Sequence, residues 1–166
     1  ILAELAAEVK AGNRKWSDVV PLSHASHSSV ATQYWPKDSP VTLHTLAGWM
    51  ISVSDNGATD TLLHALGRET VERKLATVGH SAPDKILPFL STVEAFALKA
   101  DPVLRARFLK ASEAQQRDML TSEKSSLTLD NIGGSALGGA PVAIDSIEWF
   151  ASPNDVLSLM HHLRLQ

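Results

Sequence analysis

Three consecutive polar residues, Ser54, Asp55 and Asn56, carry the side chains in this chain most suited to catalysis. They combine a hydroxyl, a carboxylate and an amide between two stretches with an apolar helical pattern. A tight turn between buried helices can direct such groups rigidly at one point, as an active site requires. A simple helix-end turn, in which the same residues satisfy backbone groups, is the alternative. No nucleophile with its own base lies nearby in the sequence, so the triplet alone is an incomplete catalytic centre.

Two aromatic residues form a second candidate feature. Tyr34 and Trp35 precede the helical stretch that leads to the triplet, and their rings could line a binding cleft. Tryptophans are more often part of a hydrophobic core, so we take the core as the default location of Trp16, Trp35 and Trp49.

Seven histidines raise the possibility of a metal site. His24 and His27 have the spacing of helical ligands, but they lie in a Ser-rich stretch without an acidic partner. His161 and His162 are adjacent, so a helix would direct them apart, and the other histidines are isolated. A zinc site requires three or four converging ligands. We therefore predict no metal and no cofactor.

A glycine-rich segment at residues 132–141 is predicted to be a loop. It lacks the Gly-Lys-Ser/Thr ending of a phosphate-binding loop, which argues against nucleotide binding.

Composition limits the class of protein. The chain has 166 residues, of which 44% are hydrophobic, and this is enough for one domain with a substantial core. The formal net charge is -3 and the basic residues are scattered, which argues against nucleic-acid binding. Cysteine is absent, so disulfides and thiolate metal sites are excluded. No apolar run is long enough for a membrane span, and no signal peptide is visible.

The elements that would position the triplet are predicted to be helices. Apolar residues recur at helical spacing, and Ser, Thr or Asp residues in capping positions begin most of these stretches. The predicted helices start at or near Thr42, Thr59, Glu69, Ser91, Asp101, Ser112 and Ser152. Strand patterns are sparse, and the two short candidates are 126–132 and 142–147.

Both ends of the chain have the pattern of a helix that continues. The first residues place Ile1, Leu2, Leu5 and Val9 on one helical stripe, with no capping residue before them. The last helix, which begins at Ser152, has no Gly or Pro stop. We expect a single helical domain over residues 1–166 that is truncated at both ends. Frayed termini of a complete small domain are the alternative.

The region around the triplet resembles a known family. The stretch Ser39–Leu63 contains an apolar helix, then Ser-Asp-Asn, then an apolar helix that opens with small residues. This order resembles the central region of penicillin-recognising serine hydrolases, such as class A β-lactamases. In that family Asn commonly occupies the position of Asp60, and Thr that of Gly57. Residues 1–11 resemble the end of the helix that carries the nucleophile, and 152–165 resemble the helix after the omega loop.

The resemblance implies a fold and roles for the triplet. The parent protein would have an α+β fold, and this chain would be its mainly α helical domain, with the β-sheet domain outside the chain. Ser54 would relay a proton toward the leaving group, and Asn56 would bind the amide carbonyl of the substrate and a catalytic lysine. Asp55 would brace the turn through backbone N–H groups. The Ser-x-x-Lys nucleophile motif and the Lys-Thr-Gly motif are absent. The resemblance puts them before Ile1 and after Gln166.

Deacylation is where the sequence departs from the β-lactamase pattern. Class A enzymes use a Glu with an Asn four residues later, and residues 80–150 match the family less well and contain no Glu-x-x-x-Asn. Glu148 lies near the corresponding end of the loop, and Asp145 is the neighbouring option. A structural carboxylate is at least as good an interpretation of either residue. This departure puts penicillin hydrolysis in doubt more than acyl-enzyme formation.

Two functions of different classes remain. The first is the helical part of a bacterial serine hydrolase acting on β-lactam, D-alanyl peptide or ester substrates, including peptidoglycan-like ones. By resemblance it would be periplasmic or secreted, its partner would be the missing β-domain, and the isolated chain would be inactive. The second is a non-catalytic helical ligand-binding or interaction module with the same fold.

Overall fold

The computed structural model describes residues 1–23, 32–132 and 140–166. Within these ranges the chain forms eight α-helices and a single two-stranded antiparallel sheet, which confirms the prediction of a mainly α-helical fold. The helices are α1 (Leu2–Lys10), α2 (Leu43–Ser52), α3 (Asn56–Leu66), α4 (Arg68–Thr77), α5 (Thr92–Ala100), α6 (Pro102–Lys110), α7 (Glu113–Ser122) and α8 (Pro153–Arg164). The strands are β1 (Val19–Pro21) and β2 (Pro40–Thr42), with Val20 opposite Val41. Short 3₁₀ turns occupy Thr32–Tyr34, Pro83–Ile86 and Leu129–Asn131.

The buried apolar residues form two clusters. The first joins α1, α2, α3 and α4 with strand β2, and its fully buried leucines are Leu5, Leu22, Leu43, Leu46, Leu62 and Leu63. The second joins α5, α6 and α7 with two residues outside helices, and it contains Leu98, Leu104, Phe108, Leu120, Leu127 and Ile147. Burying each leucine contributes about 1.5–3 kcal/mol relative to leaving it exposed. Two helices of the first cluster, α2 and α3, lie on either side of the candidate triplet.

Polar contacts connect the two clusters at the start of α5. Asp60 of α3 accepts hydrogen bonds from the backbone N–H groups of Thr92 and Val93, at 2.7 and 3.1 Å. Arg68 forms an ion pair with Glu94 at 2.6 Å and donates to the carbonyl of Phe89 at 2.5 Å. The N-terminal end of α5 is therefore fixed directly against α3 and α4.

Side-chain caps begin the helices much as predicted. Thr42 Oγ1 accepts from the backbone N–H of Thr45 at 3.2 Å at the start of α2. Ser91, Ser112 and Ser152 each form a capping box with the residue three positions later. Asp101 accepts from the first free N–H groups of α6. Each cap satisfies donors that have no partner within the helix, which explains why these boundaries could be read from the sequence.

Both strand predictions are wrong. The 126–132 segment folds back on itself, because Asn131 Nδ2 donates to the carbonyl of Ser126 at 2.9 Å, and it ends in a 3₁₀ turn. In the 142–147 segment, Ala143 has a left-handed backbone (φ 53°), and its carbonyl accepts from the N–H of Ile147 at 2.8 Å. Local turn bonds replace strand pairing in both places. The strands that do form are only three residues long, too short for a clear sequence pattern.

Helix α1 is attached to α4 and α8. Glu4 of α1 forms an ion pair with Lys74 of α4 at 2.9 Å, and Lys10 donates to the carbonyl of Leu165 at 2.7 Å. On α8, the apolar side chains of Val156, Leu157 and Met160 are exposed. In the described parts of the chain, no helix has the length and apolar character needed to cross a bilayer.

A buried carboxylate fixes the start of α8. Asp155 accepts from the backbone N–H of Ser152 at 2.7 Å, and from the N–H and hydroxyl of Ser81 at 2.8 and 2.9 Å. These donors, with the backbone N–H of Ser152 the strongest influence, hold the pKa of Asp155 well below its usual range. The loop after α4 is thereby connected to the first turn of α8.

This low pKa predicts how acid affects stability. A carboxyl whose folded-state pKa is depressed stabilises the protein fully above its unfolded pKa, near 4, and this contribution is lost as the pH falls toward the folded pKa. We therefore expect the free energy of unfolding to fall between pH 5 and pH 2, and to fall less in D155N. Urea titrations across this range measure the effect, with D84N at an exposed position as the control. An unchanged pH dependence in D155N would contradict the prediction.

Candidate active site

The Ser54–Asn56 triplet lies on the turn between α2 and α3. The backbone N–H groups of Val53 and Asp55 both donate to the carbonyl of Trp49, at 3.2 and 3.3 Å, where the chain leaves α2. Ser54 then adopts a left-handed backbone (φ 55°), which is uncommon for a residue other than glycine. Such a conformation persists only where the surrounding structure enforces it, and it occurs often at functional sites.

Asp55 holds this turn from inside the protein. Its side chain is fully buried, and its Oδ1 atom accepts from the N–H of Ala58 at 2.9 Å, which caps α3. The same oxygen accepts from the hydroxyl of Thr32 at 2.5 Å, and Oδ2 accepts from the N–H of Thr32 at 3.1 Å. Because Asp55 caps the helix, α3 begins at Asn56, three residues before the predicted start at Thr59.

The other two side chains of the triplet face outward. Ser54 is exposed, and Asn56, the first residue of α3, is partly exposed. In the part of the chain that the structure describes, neither side chain forms a hydrogen bond. A hydroxyl and an amide on a rigid turn, with their hydrogen-bonding capacity unused, can both bind a ligand.

The two predicted aromatic residues lie in and just after the 3₁₀ turn that begins with Thr32. Tyr34 is 81% exposed, and the N–H of Trp35 donates to the carbonyl of Thr32 at 3.2 Å. The Trp35 ring packs edge-on against Trp49 of α2, with centroids 4.8 Å apart. Trp35 and Trp49 therefore lie at the border of the first core cluster, whereas Trp16 is 36% exposed, contrary to the core prediction. Through Thr32 and Trp49, the aromatic residues are attached to the same turn as the triplet.

Glu148 forms an ion pair with Lys99 of α5, and its side chain is 34% exposed. The indole N–H of the next residue, Trp149, donates to the carbonyl of Leu90 at 3.1 Å. These contacts hold the 146–149 segment against α5 and the chain before it. The hydrogen bonds and ion pair described for Glu148 do not involve the triplet. Asp145 is exposed on the same segment.

A small cavity of about 130 Å³ lies beside the N-terminal half of α3. Thr59, Asp60 and Leu63 line it, and they follow Asn56 by three, four and seven residues, so all share one helix face. The remaining lining residues are Ile1 just before α1, Phe89 and Leu90 before α5, Thr92 at the start of α5, and Trp149. Its surface is largely apolar, because the Asp60 carboxylate is bonded to Thr92 and Val93.

Metal binding gains no support from the described residues. Within 1–23, 32–132 and 140–166, no three His, Cys, Asp or Glu side chains converge as ligands would. His24 and His27 lie outside the described residues, as does most of the glycine-rich segment 132–141.

Two buried contacts of this region were missed from sequence. Thr32 is separated from Asp55 by 23 residues, and nothing in its local sequence marks it as a partner. Asp60 could have been noticed, because it is a charged residue on a helix face shared with Leu63. A buried carboxylate at such a position needs donors from another element, and Thr92 and Val93 supply them.

Comparison with known proteins identifies one family. A family model described as "Beta-lactamase enzyme family" matches residues 1–164, which is nearly the whole chain. No curated protein matches the chain.

Proposed function

Since the chain belongs to the β-lactamase enzyme family, we propose that it is the helical portion of a serine hydrolase that forms an acyl-enzyme. Its substrates would be β-lactams, D-alanyl peptides or esters. The observation that carries this proposal is the Ser54–Asn56 turn. Asp55 is fully buried and holds the turn, while the hydroxyl of Ser54 and the amide of Asn56 remain available to a ligand.

The position of Ile1 supports the proposal. Ile1, just before α1, lines the same small cavity as Thr59 and Asp60, which follow Asn56 on one face of α3. The start of α1 therefore lies close to the helix that begins with Asn56. In the proposed active site, the family's Ser-x-x-Lys motif would bring its nucleophilic hydroxyl and basic amine to Ser54 and Asn56.

The roles follow from the chemistry of each group. The lysine amine would remove the proton of the nucleophilic serine as it attacks the substrate carbonyl. Ser54 would then carry a proton to the leaving nitrogen or oxygen, and Asn56 would bind the amide carbonyl of the substrate. Tyr34 and Trp35 would form a wall of the binding cleft. A Lys-Thr-Gly motif on a β-domain would bind the substrate carboxylate. Residues 1–166 alone would have no turnover.

One residue is proposed for the deacylation step. We propose Glu148 as the residue that orients the deacylating water, with its ion pair to Lys99 as the contact that holds it. The competing role of Glu148 is structural, because the same ion pair attaches its segment to α5. By family resemblance, the protein would act in the periplasm or outside the cell.

The experiment is covalent labelling of the full-length protein with a fluorescent penicillin and a fluorophosphonate. Loss of a positioned proton-transfer group typically costs 10²–10⁴-fold in rate, so S54A is expected to slow labelling about 100-fold. S52A is the matched control, because Ser52 is an exposed hydroxyl on the last turn of α2 that donates to the carbonyl of Gly48. A full-length protein that neither probe labels would favour the non-catalytic binding module instead.

A further inference from the structure

We infer that Thr32 is a positioning residue for the Ser54–Asn56 turn, and that glycine is required at position 57 because Thr32 occupies the space of a side chain there. Thr32 is 3% exposed and is the first residue of the 3₁₀ turn Thr32–Tyr34. The catalytic consequence rests on the proposed function, whereas the packing relationship with Gly57 does not.

Thr32 and Asp55 are joined by two hydrogen bonds. The Thr32 hydroxyl donates to Asp55 Oδ1 at 2.5 Å, and its backbone N–H donates to Oδ2 at 3.1 Å. Hydrogen bonds to a charged, buried acceptor are stronger and more directional than neutral ones at the surface. Since Oδ1 also caps α3 through Ala58, the one carboxylate orients the turn relative to both the helix and the 3₁₀ segment.

Gly57 is the steric counterpart of this contact. A Cβ atom at position 57 would lie 2.5 Å from Thr32 Oγ1, 3.2 Å from Thr32 Cβ and 3.3 Å from Asp55 Oδ1. Thr32 Oγ1 cannot move away without breaking its bond to Asp55, so a side chain at position 57 competes directly with the hydroxyl. The Gly57 carbonyl is fixed as well, because it accepts from the hydroxyl of Thr61 at 2.6 Å.

Thr32 also connects the triplet to the aromatic residues. Its carbonyl accepts from the N–H of Trp35, whose ring packs against Trp49, and the Trp49 carbonyl accepts from the N–H of Asp55. These contacts connect Thr32, through Trp35 and Trp49, to the Ser54–Asn56 turn. A shift of Thr32 would therefore change the direction of Ser54 and Asn56 together with the position of Tyr34.

The positioning role of Thr32 in catalysis is tested in the full-length protein with the T32V and T32S variants. Valine keeps the shape of threonine but removes the hydroxyl donor, whereas serine keeps the donor. We expect T32V to lower the limiting rate of acylation by a fluorescent penicillin at least tenfold, with less than a threefold change in half-saturating concentration. T32S should stay within threefold of the parent in both. Equal losses in T32V and T32S, or a loss in half-saturation alone, would overturn the positioning role.

The packing relationship between Thr32 and Gly57 is tested by urea unfolding of the full-length protein without substitutions and of its T32A, G57A and T32A/G57A variants. We expect G57A to lower the folding equilibrium constant of the unsubstituted protein at least tenfold more than that of the T32A variant. The hydroxyl that would clash with a side chain at position 57 is absent in T32A. Additive effects would overturn the steric relationship. If the parent protein is not acylated at all, the proposed function fails, and this unfolding cycle still decides the structural inference.

Discussion

Replacing Asp55 by alanine is expected to lower the free energy of unfolding by about 3–5 kcal/mol, because hydrogen bonds to a buried charged group contribute about 1.5–3 kcal/mol each and a helix cap about 1 kcal/mol. The side chain is fully buried and accepts from Thr32 through both its hydroxyl and its N–H, and from the N–H of Ala58. The alanine variant would leave these donors buried without that acceptor.

D55A should also lower the rate of acylation, because the same carboxylate holds the turn on which Ser54 has a left-handed backbone. Loss of Asp55 would release this conformation, and acylation of the full-length protein by a fluorescent penicillin should fall even in conditions where the variant is folded. Urea titration followed by circular dichroism measures the free energy of unfolding of D55A.

Asp118 offers a matched control for D55A. It is an exposed aspartate on α7, and surface substitutions of this kind usually change stability by about 0.5 kcal/mol or less. If D55A were no more destabilising than D118A, the buried carboxylate would not be what holds the turn.

Features encoded by neighbouring residues could be predicted from the sequence. The caps at Thr42, Ser91 and Ser152 depend on a side chain and an N–H group three residues apart, so short patterns identify them. The Ser-Asp-Asn turn was found because two apolar helical patterns flank it. The first residue of α3 could not be predicted, because Asp55 is both a residue of the turn and the cap of the helix.

Features encoded by distant residues could not be predicted in the same way. The two strands pair only three residues each, and Val20 pairs with Val41 of a distant segment, so no alternating pattern marks them. Thr32 acquires its role only when the 3₁₀ turn lies against the start of α3, where the absence of a side chain at Gly57 makes room for it. Such contacts depend on tertiary packing, which sequence periodicity does not specify.

The second large effect concerns Asp60, the buried acidic residue in the middle of α3. Asp60 is fully buried on α3, and its two oxygens accept from the N–H and hydroxyl of Thr92 and from the N–H of Val93. It thus caps α5 from another helix, and the α5–α7 cluster is connected to α3 through it. A carboxylate suits this position, because both of its oxygens are acceptors and all of these partners are donors.

We expect D60A to lower the free energy of unfolding by about 3–5 kcal/mol, since it leaves buried donors without their charged acceptor. D60N should cost less, about 1–3 kcal/mol, because the amide keeps one acceptor oxygen but directs an NH₂ group at the remaining donors. Urea unfolding gives both values, and hydrogen exchange should show the largest loss of protection at the N–H groups of Thr92 and Val93. If D60N were as stable as the unsubstituted protein, the second acceptor oxygen would not be needed in this contact. If D60N loses stability and D60A loses more, the carboxylate is the acceptor that attaches α5 to the helix carrying the Ser-Asp-Asn turn.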